Sequence, residues 1–257
     1  MQKDQVIIRG RTLSGGKPWI IVPIAESGRH DIVRLGGEIA RVKADMCEWR
    51  ADCFSDVLDR QAVGETLGDL RRVLGDIPLL FTFRTSGEGG SRECSLQEYE
   101  DLCQLAAASG LADAVDVEIM AGDDLVLRLI TNIHAQGLPV IASNHDFQAT
   151  PAREEILARF LKMQEMGADV LKMAVMPQSP ADVLALMSSV SEMVEIHARK
   201  PVVAMSMSGL GAISRIACES YGSAMTFGSL GKRSAPGQIP VTELRQAIEI
   251  LHDSMQL

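Results

Sequence analysis

Eight short apolar runs recur along this chain at near-even spacing, with amphipathic stretches filling most of the gaps. The runs read WIIVPIA (19–25), ADMCEWR (44–50), PLLFTFR (78–84), AVDVEIM (114–120), PVIASNHD (139–146), ADVLKMAV (168–175), PVVAMSM (201–207) and SAMTFGSL (223–230). Most are nearly continuous in apolar residues rather than alternating. Parallel strands read this way, because crossover helices cover one face and packed side chains the other. Helix signatures lie between them, in SLQEYEDLCQLAAASG (95–110), TPAREEILARFLKMQEMG (150–167) and SPADVLALMSSVSEMVEIHAR (179–199). The second stretch predicts Thr150 as N-cap, Pro151 at the first helical position and Gly167 at the stop.

Eight strand–helix repeats in 257 residues predict an α/β fold, a (β/α)8 TIM barrel forming one domain over 1–257. The competing arrangement is a doubly wound open sheet. Its Gly-rich phosphate turn is missing, since the first turn reads AESGRHD (25–31). Within residues 1–17, QVIIRG and RTLSGG predict a short β-hairpin that closes the amino-terminal mouth of the barrel.

Hydrophobic residues make up 46% and charged residues 23%, the balance of a globular chain rather than a disordered one. No apolar stretch approaches the ~20 residues that span a bilayer. The N-terminal stretch lacks a signal or transit pattern, so the expected location is cytoplasmic, with no membrane partner. A net charge of −9 argues against nucleic acid, which needs a basic face, but leaves room for a small anionic ligand held by a few arginines. Five cysteines with no CxxC pair predict free thiols and no zinc site.

Strand parity selects which residues meet in the barrel. Lys172 shares a face with Val170 and Ala174, His145 with Ser143 and Ile141, Glu48 and Arg50 with Met46, and Arg84 with Thr82 and Leu80. Met205 and Met207 share a face with Val203, and Asp116 with Glu118. The polar members fall late in their strands, at the end where such barrels carry their sites. Singly, each has a plain structural role. Lys172 would snorkel past the helix layer, His145 would be a hydrogen-bonded structural histidine, and the methionines would be core. Asp116 and Glu118 read as partners of neighbouring cations rather than metal ligands, because no third ligand completes a cage. His30, His134, His197 and His252 read as surface residues. Two loops add chemistry: RTSGEGGSRE (84–93), with Glu88 placed to orient a histidine, and GKRSAPGQIP (231–240), read as a flap. Arg215 is read at the start of the helix after the seventh strand, with a fork suited to a carboxylate.

Six motifs in order and spacing carry a resemblance: CEWRAD (47–52), LLFTFR with EGG (79–90), SNHDF (143–147), LKMAVMPQS (171–179), MSMSGLGAISR (205–215) and FGSLGKRSAPGQI (227–239). Over essentially its whole length the chain resembles the type I 3-dehydroquinate dehydratases, Schiff-base-forming lyases of the shikimate pathway. The resemblance implies a homodimeric (β/α)8 barrel with no metal or organic cofactor, acting on 3-dehydroquinate, a small anionic substrate. Position by position, it implies Lys172 as the imine-forming lysine, His145 as general acid/base and Glu88 as the histidine's partner. Glu48, Arg50, Arg84 and Arg215 match substrate-binding residues, with Arg215 on the carboxylate. Ser234 and Gln238 match the closing flap, and Met205, Phe147 and Phe227 the apolar walls. One departure from the resemblance stands at the end of the first strand, where such chains often carry a serine and this one has Pro23, with Ser27 as the candidate substitute. A class I aldolase shares the barrel and the lysine imine, and a non-catalytic barrel binding quinate-like ligands is the third reading.

Overall fold

The computed structural model describes residues 4–13, 15–231 and 234–256. Residues 1–3 and 14 of the expected hairpin segment, residues 232–233 of the expected flap and residue 257 lie outside that set. Strands β1 (Val6–Ile8) and β2 (Arg11–Leu13) pair antiparallel across a two-residue turn. Both turn residues, Arg9 at φ 49° and Gly10 at φ 71°, are left-handed, the backbone that lets a two-residue loop follow the strands' own twist. Val6 and Ile8 are buried while Ile7 is exposed, so the hairpin presents one apolar face.

Eight parallel strands follow, from β3 (Trp19–Ile24), β4 (Met46–Arg50), β5 (Leu79–Thr82) and β6 (Ala114–Glu118) to β7 (Val140–Asp146), β8 (Val170–Val175), β9 (Val202–Ser206) and β10 (Met225–Ser229). A two-residue strand β11 (Ile239–Pro240) adds to β10. Neighbours pair in sequence order from β3 to β9, and β10 returns to pair with β3. Between β9 and β10 there is no ladder. The Ala224 N–H donates to the Val202 carbonyl at 2.8 Å, and the Ala204 N–H donates to Ser223 Oγ at 3.0 Å, closing the cylinder through a side chain.

Helices α1 (Arg29–Arg41), α2 (Arg60–Leu74), α3 (Leu96–Ala108), α4 (Asp123–Ala135), α5 (Arg153–Glu165) and α6 (Pro180–Glu192) cover the outside, with α9 (Val241–Met255) after the last strand. After β9 the chain makes only two short helices, α7 (Ala212–Ile216) and α8 (Cys218–Tyr221). No helix among the described residues is long and apolar enough to cross a membrane.

The expected parity is what builds two cores. Ile21, Met46, Leu80, Ile141, Val170 and Val203 pack inside the barrel, and their cluster continues into Val6, Ile8 and Leu13, so the hairpin closes the amino-terminal end. The alternate residues, such as Val22, Cys47, Phe81, Ala142 and Leu171, face the helices.

Three local expectations change. The cap of α5 is Ala152, not Thr150, because the Thr150 hydroxyl donates to the Met176 carbonyl beyond β8 at 3.2 Å and is not free to cap. The stretch 179–199 is helical only to Glu192, then widens into a π turn at Met193–His197. Arg215 lies in the last turn of a five-residue helix, not at its start.

A repeated dipeptide secures the amino ends of the strands. Ala-Asp stands just before β4, β6 and β8, and each aspartate accepts an N–H from the first two residues of the preceding strand. Asp45 takes the Ile20 N–H at 3.0 Å, Asp113 the Leu79 N–H at 2.7 Å and Asp169 the Val140 N–H at 2.9 Å. Each also meets a side chain of opposite or titratable charge, Arg11, Arg71 and His134 respectively. Removing Asp113 leaves the Leu79 N–H and Arg71 Nη1 without their shared acceptor, although Arg71 Nη2 keeps its carbonyl partners. We expect Asp113→Ala to lower stability by about 2 kcal/mol, read as a lower urea midpoint with unchanged slope. An unchanged midpoint refutes the strand-capping role.

Candidate active site

The carboxyl ends of the strands surround a cavity of about 510 Å³, counted out to its open mouth. Its lining includes Glu48 and Arg50 from β4, Arg84 beyond β5, His145 and Phe147 at the end of β7, Lys172 and Ala174 from β8, Met205 and Met207 at β9, and Phe227 from β10. Glu88 and Gly89 come from the loop after β5, Arg215 from α7, and Ser234, Ala235 and Gln238 from the segment after β10. All twelve residues singled out in the sequence line this one cavity.

Lys172 is 3% exposed. Its Nζ donates to Asp116 Oδ2 at 3.1 Å and lies 3.5 Å from Glu48 Oε1, with the Phe227 ring centroid 4.7 Å away. Asp116 sits one layer beneath the cavity and also accepts Arg84 Nη2 at 2.7 Å and the Ser143 hydroxyl at 2.6 Å. Burial alone would raise the Asp116 carboxyl, but Arg84 and Lys172 outweigh it and hold it below the ordinary carboxylate range. Arg84 also donates to Glu118 Oε1 at 2.8 Å and to Ser143 Oγ at 3.0 Å. The two acidic residues of β6 therefore pair with barrel cations, as their spacing suggested. Much of the Arg84 fork is committed to protein partners.

His145 stands two residues beyond Ser143, the register partner of Lys172. Its Nδ1 lies 2.9 Å from Glu88 Oε2, and its backbone N–H donates to the same oxygen at 2.9 Å. Asn144 Nδ2 donates to Glu88 Oε1 at 3.1 Å, and Arg159 Nη1 donates to Asn144 Oδ1 at 2.8 Å. An ionised Glu88 accepts only, so it fixes the proton on Nδ1 and leaves Nε2 as the basic atom of the ring. Burial lowers the His145 pKa, and the positive charges of Arg84, Lys172 and Arg50 add to the effect. Burial also pushes the Glu88 carboxyl up to about 7, against the pull of Arg84. Loop geometry makes this contact. Glu88 ends a single turn, Ser86–Glu88, and the Gly90 N–H returns to the Thr85 carbonyl at 2.8 Å. A Cβ at position 90 would sit 1.8 Å from the Arg84 carbonyl oxygen, so only glycine permits the closure.

Arg215 is 1% exposed and has no carboxylate partner among the described residues. Nη2 donates to the Pro236 carbonyl at 3.2 Å, Nη1 meets the Met205 sulfur at 3.5 Å, and the buried Nε has no partner. Burial without a counter-charge lowers its pKa to about 10. A buried, unneutralised cation beside a cavity is a strong attractor for an anion. Gln238 folds the neighbouring segment over it, accepting the Ser234 N–H at 2.8 Å and donating to Ser234 Oγ at 3.0 Å.

Residues 20–255 match the type I 3-dehydroquinase family. The chain belongs to that family. Among its relatives, the 3-dehydroquinate dehydratase of Bacillus licheniformis is 44% identical over 253 residues, covering 98% of this chain and all of that one. The Salmonella typhimurium protein of the same name is 45% identical over 249 residues, covering 97% and 99%. A crystal structure of the Clostridium difficile type I enzyme, carrying covalently modified comenic acid, superposes with a TM-score of 0.96 at 43% identity and covers 98% of this chain and 100% of that one.

The first strand brings no hydroxyl to the cavity, so the serine expected there from the resemblance has no counterpart in the lining. Pro23 is buried in β3, in register with Glu48, and the exposed Ser27 accepts the Ser55 N–H through its carbonyl at 3.0 Å. Sequence reasoning gave no role to Asn144, which parity turns away from His145, or to Asp52, a buried carboxylate behind Arg50. Asn144 stands among the polar residues that end β7 and Asp52 in the turn just past β4, so side-chain alternation along a strand assigned neither a role.

The Glu88 carboxyl should titrate near pH 7, far above its ordinary 4.5, because the folded site disfavours its charge. Above that pH it is ionised and holds Nδ1–H; below it the pair takes up a proton. Carbon-13 NMR of labelled glutamate, with Glu88→Gln to assign the signal, checks this. A step in the normal carboxylate range overturns the assignment.

Proposed function

We propose that this chain dehydrates 3-dehydroquinate to 3-dehydroshikimate through an imine on Lys172, with His145 moving the protons. The observation that carries the reading is a buried amine sharing a cavity with an imidazole whose Nδ1 is tied to a carboxylate. The substrate has a ring ketone, an adjacent CH2 and a hydroxyl one carbon further on. A neutral imidazole is too weak a base for that CH2 alone. Attack of the Lys172 amine on the ketone, with loss of water, gives an iminium that takes up the electrons of the breaking C–H bond. His145 Nε2 removes the proton and an enamine forms. The enamine expels the hydroxyl, which leaves as water with the proton that His145 returns. Water then hydrolyses the imine and frees the amine. One base serving both steps favours removal of both groups from one face of the ring.

Arg215 offers the unneutralised charge for the substrate carboxylate, Ser234 and Gln238 close over it, and Arg50 and Glu48 line the wall for ring hydroxyls. Glu48 and Asp116 hold the amine against Phe227, so its reach is restricted before substrate arrives. We also read residues 1–257 as one domain, supported by the interior cluster that runs from Val6 to Phe227. A homodimer in the cytoplasm completes the proposal. Its support is the family membership and five cysteines that all stand as free thiols.

Lys172→Ala should reduce turnover of 3-dehydroquinate by more than about a thousandfold while its circular dichroism stays native. Borohydride added with substrate should label wild type once, at Lys172, and leave the variant unlabelled by mass spectrometry. Label on any other residue sinks the imine assignment. Arg215→Lys keeps the charge but loses the fork, and should raise KM about tenfold. An unchanged KM would put the substrate carboxylate elsewhere.

A further inference from the structure

We propose that Asp52 is a positioning residue for this reaction, a clamp that holds Arg50 and the Glu88 loop in one geometry; the proposal rests on the dehydration reading. Asp52 lies in the turn Ala51–Cys53 after β4, its side chain fully buried and outside the cavity lining. Oδ1 accepts Arg50 Nε at 2.8 Å and the Arg84 N–H at 3.2 Å. Oδ2 accepts Arg50 Nη2 at 2.8 Å and the Ser91 N–H at 3.0 Å. One carboxylate thus joins a cavity-facing guanidinium, the strand end that carries Arg84, and the far end of the loop that carries Glu88.

The near end of that loop is held separately. Glu118 accepts the Thr85 N–H at 2.8 Å and the Thr85 hydroxyl at 2.6 Å. Beyond the turn itself, the far end is tied by Asp52, by a 3.2 Å contact between Cys53 Sγ and Ser91 Oγ, and by Arg92 Nη2, which donates to the Ser55 carbonyl at 3.1 Å. Glu88 sits between the two tethers and fixes the His145 proton from there. A carboxylate suits the position because both of its oxygens face donors. An amide would turn its own N–H2 against one donor pair, Arg50 Nε with Arg84 N–H or Arg50 Nη2 with Ser91 N–H. Burial alone would raise the Asp52 carboxyl, but the Arg50 bonds outweigh it, so the clamp is ionised.

The test is a set of double-mutant cycles on the full chain. Asp52→Asn should lower kcat/KM about tenfold or more with a near-native melting temperature. In the Glu88→Gln and Arg50→Ala backgrounds the same change should cost clearly less, because the geometry it preserves is already lost. An unchanged kcat/KM, full multiplicative losses in both backgrounds, or a loss that merely follows a fall in melting temperature would each overturn the proposal. Should Asp52→Asn fail to fold, Ser91→Pro deletes the backbone donor to Asp52, with Ser91→Ala as the control that removes only the Cys53 contact, and leaves the carboxylate in place, with the same expectation in the Glu88→Gln background. Hydrogen exchange gives an arm that needs no substrate: peptides covering 84–92 should exchange faster in Asp52→Asn than in wild type, with the rest of the barrel unchanged. Equal exchange overturns the clamp. Wild type inert towards 3-dehydroquinate sinks the dehydration reading instead, and the exchange arm still decides the clamp.

Discussion

Asp116 stands between Arg84 and Lys172, and the site depends on that arrangement. A charge inside a barrel is tolerable only when paired and hydrogen-bonded. With Arg84 on one oxygen and Lys172 on the other, Asp116 determines where the lysine nitrogen can rest. Glu118 completes the Arg84 fork and also secures the loop root at Thr85, so the same charge network that neutralises the interior supports the loop above it. Arg215 is the exception. Among the described residues it has no carboxylate partner, whereas Arg84 and Lys172 are paired, which is why its position points to an anionic ligand.

The Glu88–His145 pair shows how a mobile-looking sequence becomes a fixed device. RTSGEGGSRE reads as a flexible stretch, yet it folds into one tight turn with tethers at both ends. Glycine at 90 allows the backbone to pass against Arg84, and glycine at 89, at φ 81°, adopts the left-handed turn beside Phe147. Rigidity here comes from the loop's own turn, closed by the Ser86 N–H on the Arg92 carbonyl and the Gly90 N–H on the Thr85 carbonyl, together with the carboxylates buried behind it. That matters for proton transfer, which needs the imidazole held in one tautomer and one orientation.

Much of the site was legible because strand parity is a strict rule. Spacing put Lys172, His145, Glu48, Arg50 and Arg84 each on one face with apolar or polar neighbours two residues away, and the structure brings all five to the lining of one cavity. What parity cannot reach is partnership across strands. Asn144 points away from the His145 face yet bonds the carboxylate that holds His145. Asp52 lies just past its strand, where period-two reasoning ends. The Thr150 cap failed for a related reason: its hydroxyl was claimed by a carbonyl that is distant in sequence. Pro23 departs from the serine that the resemblance leads one to expect, but only the structure showed that Ser27, beyond β3, is exposed and outside the cavity lining.

By itself the sequence determined the repeat, the two faces of each strand and the end at which polar groups gather, because hydrophobic period and side-chain alternation are local properties of the chain. Only the tertiary structure decided which charges neutralise one another and which cation is left unpaired. Those outcomes depend on distances between strands far apart in sequence, and pairing energy in a buried site changes steeply over a single ångström.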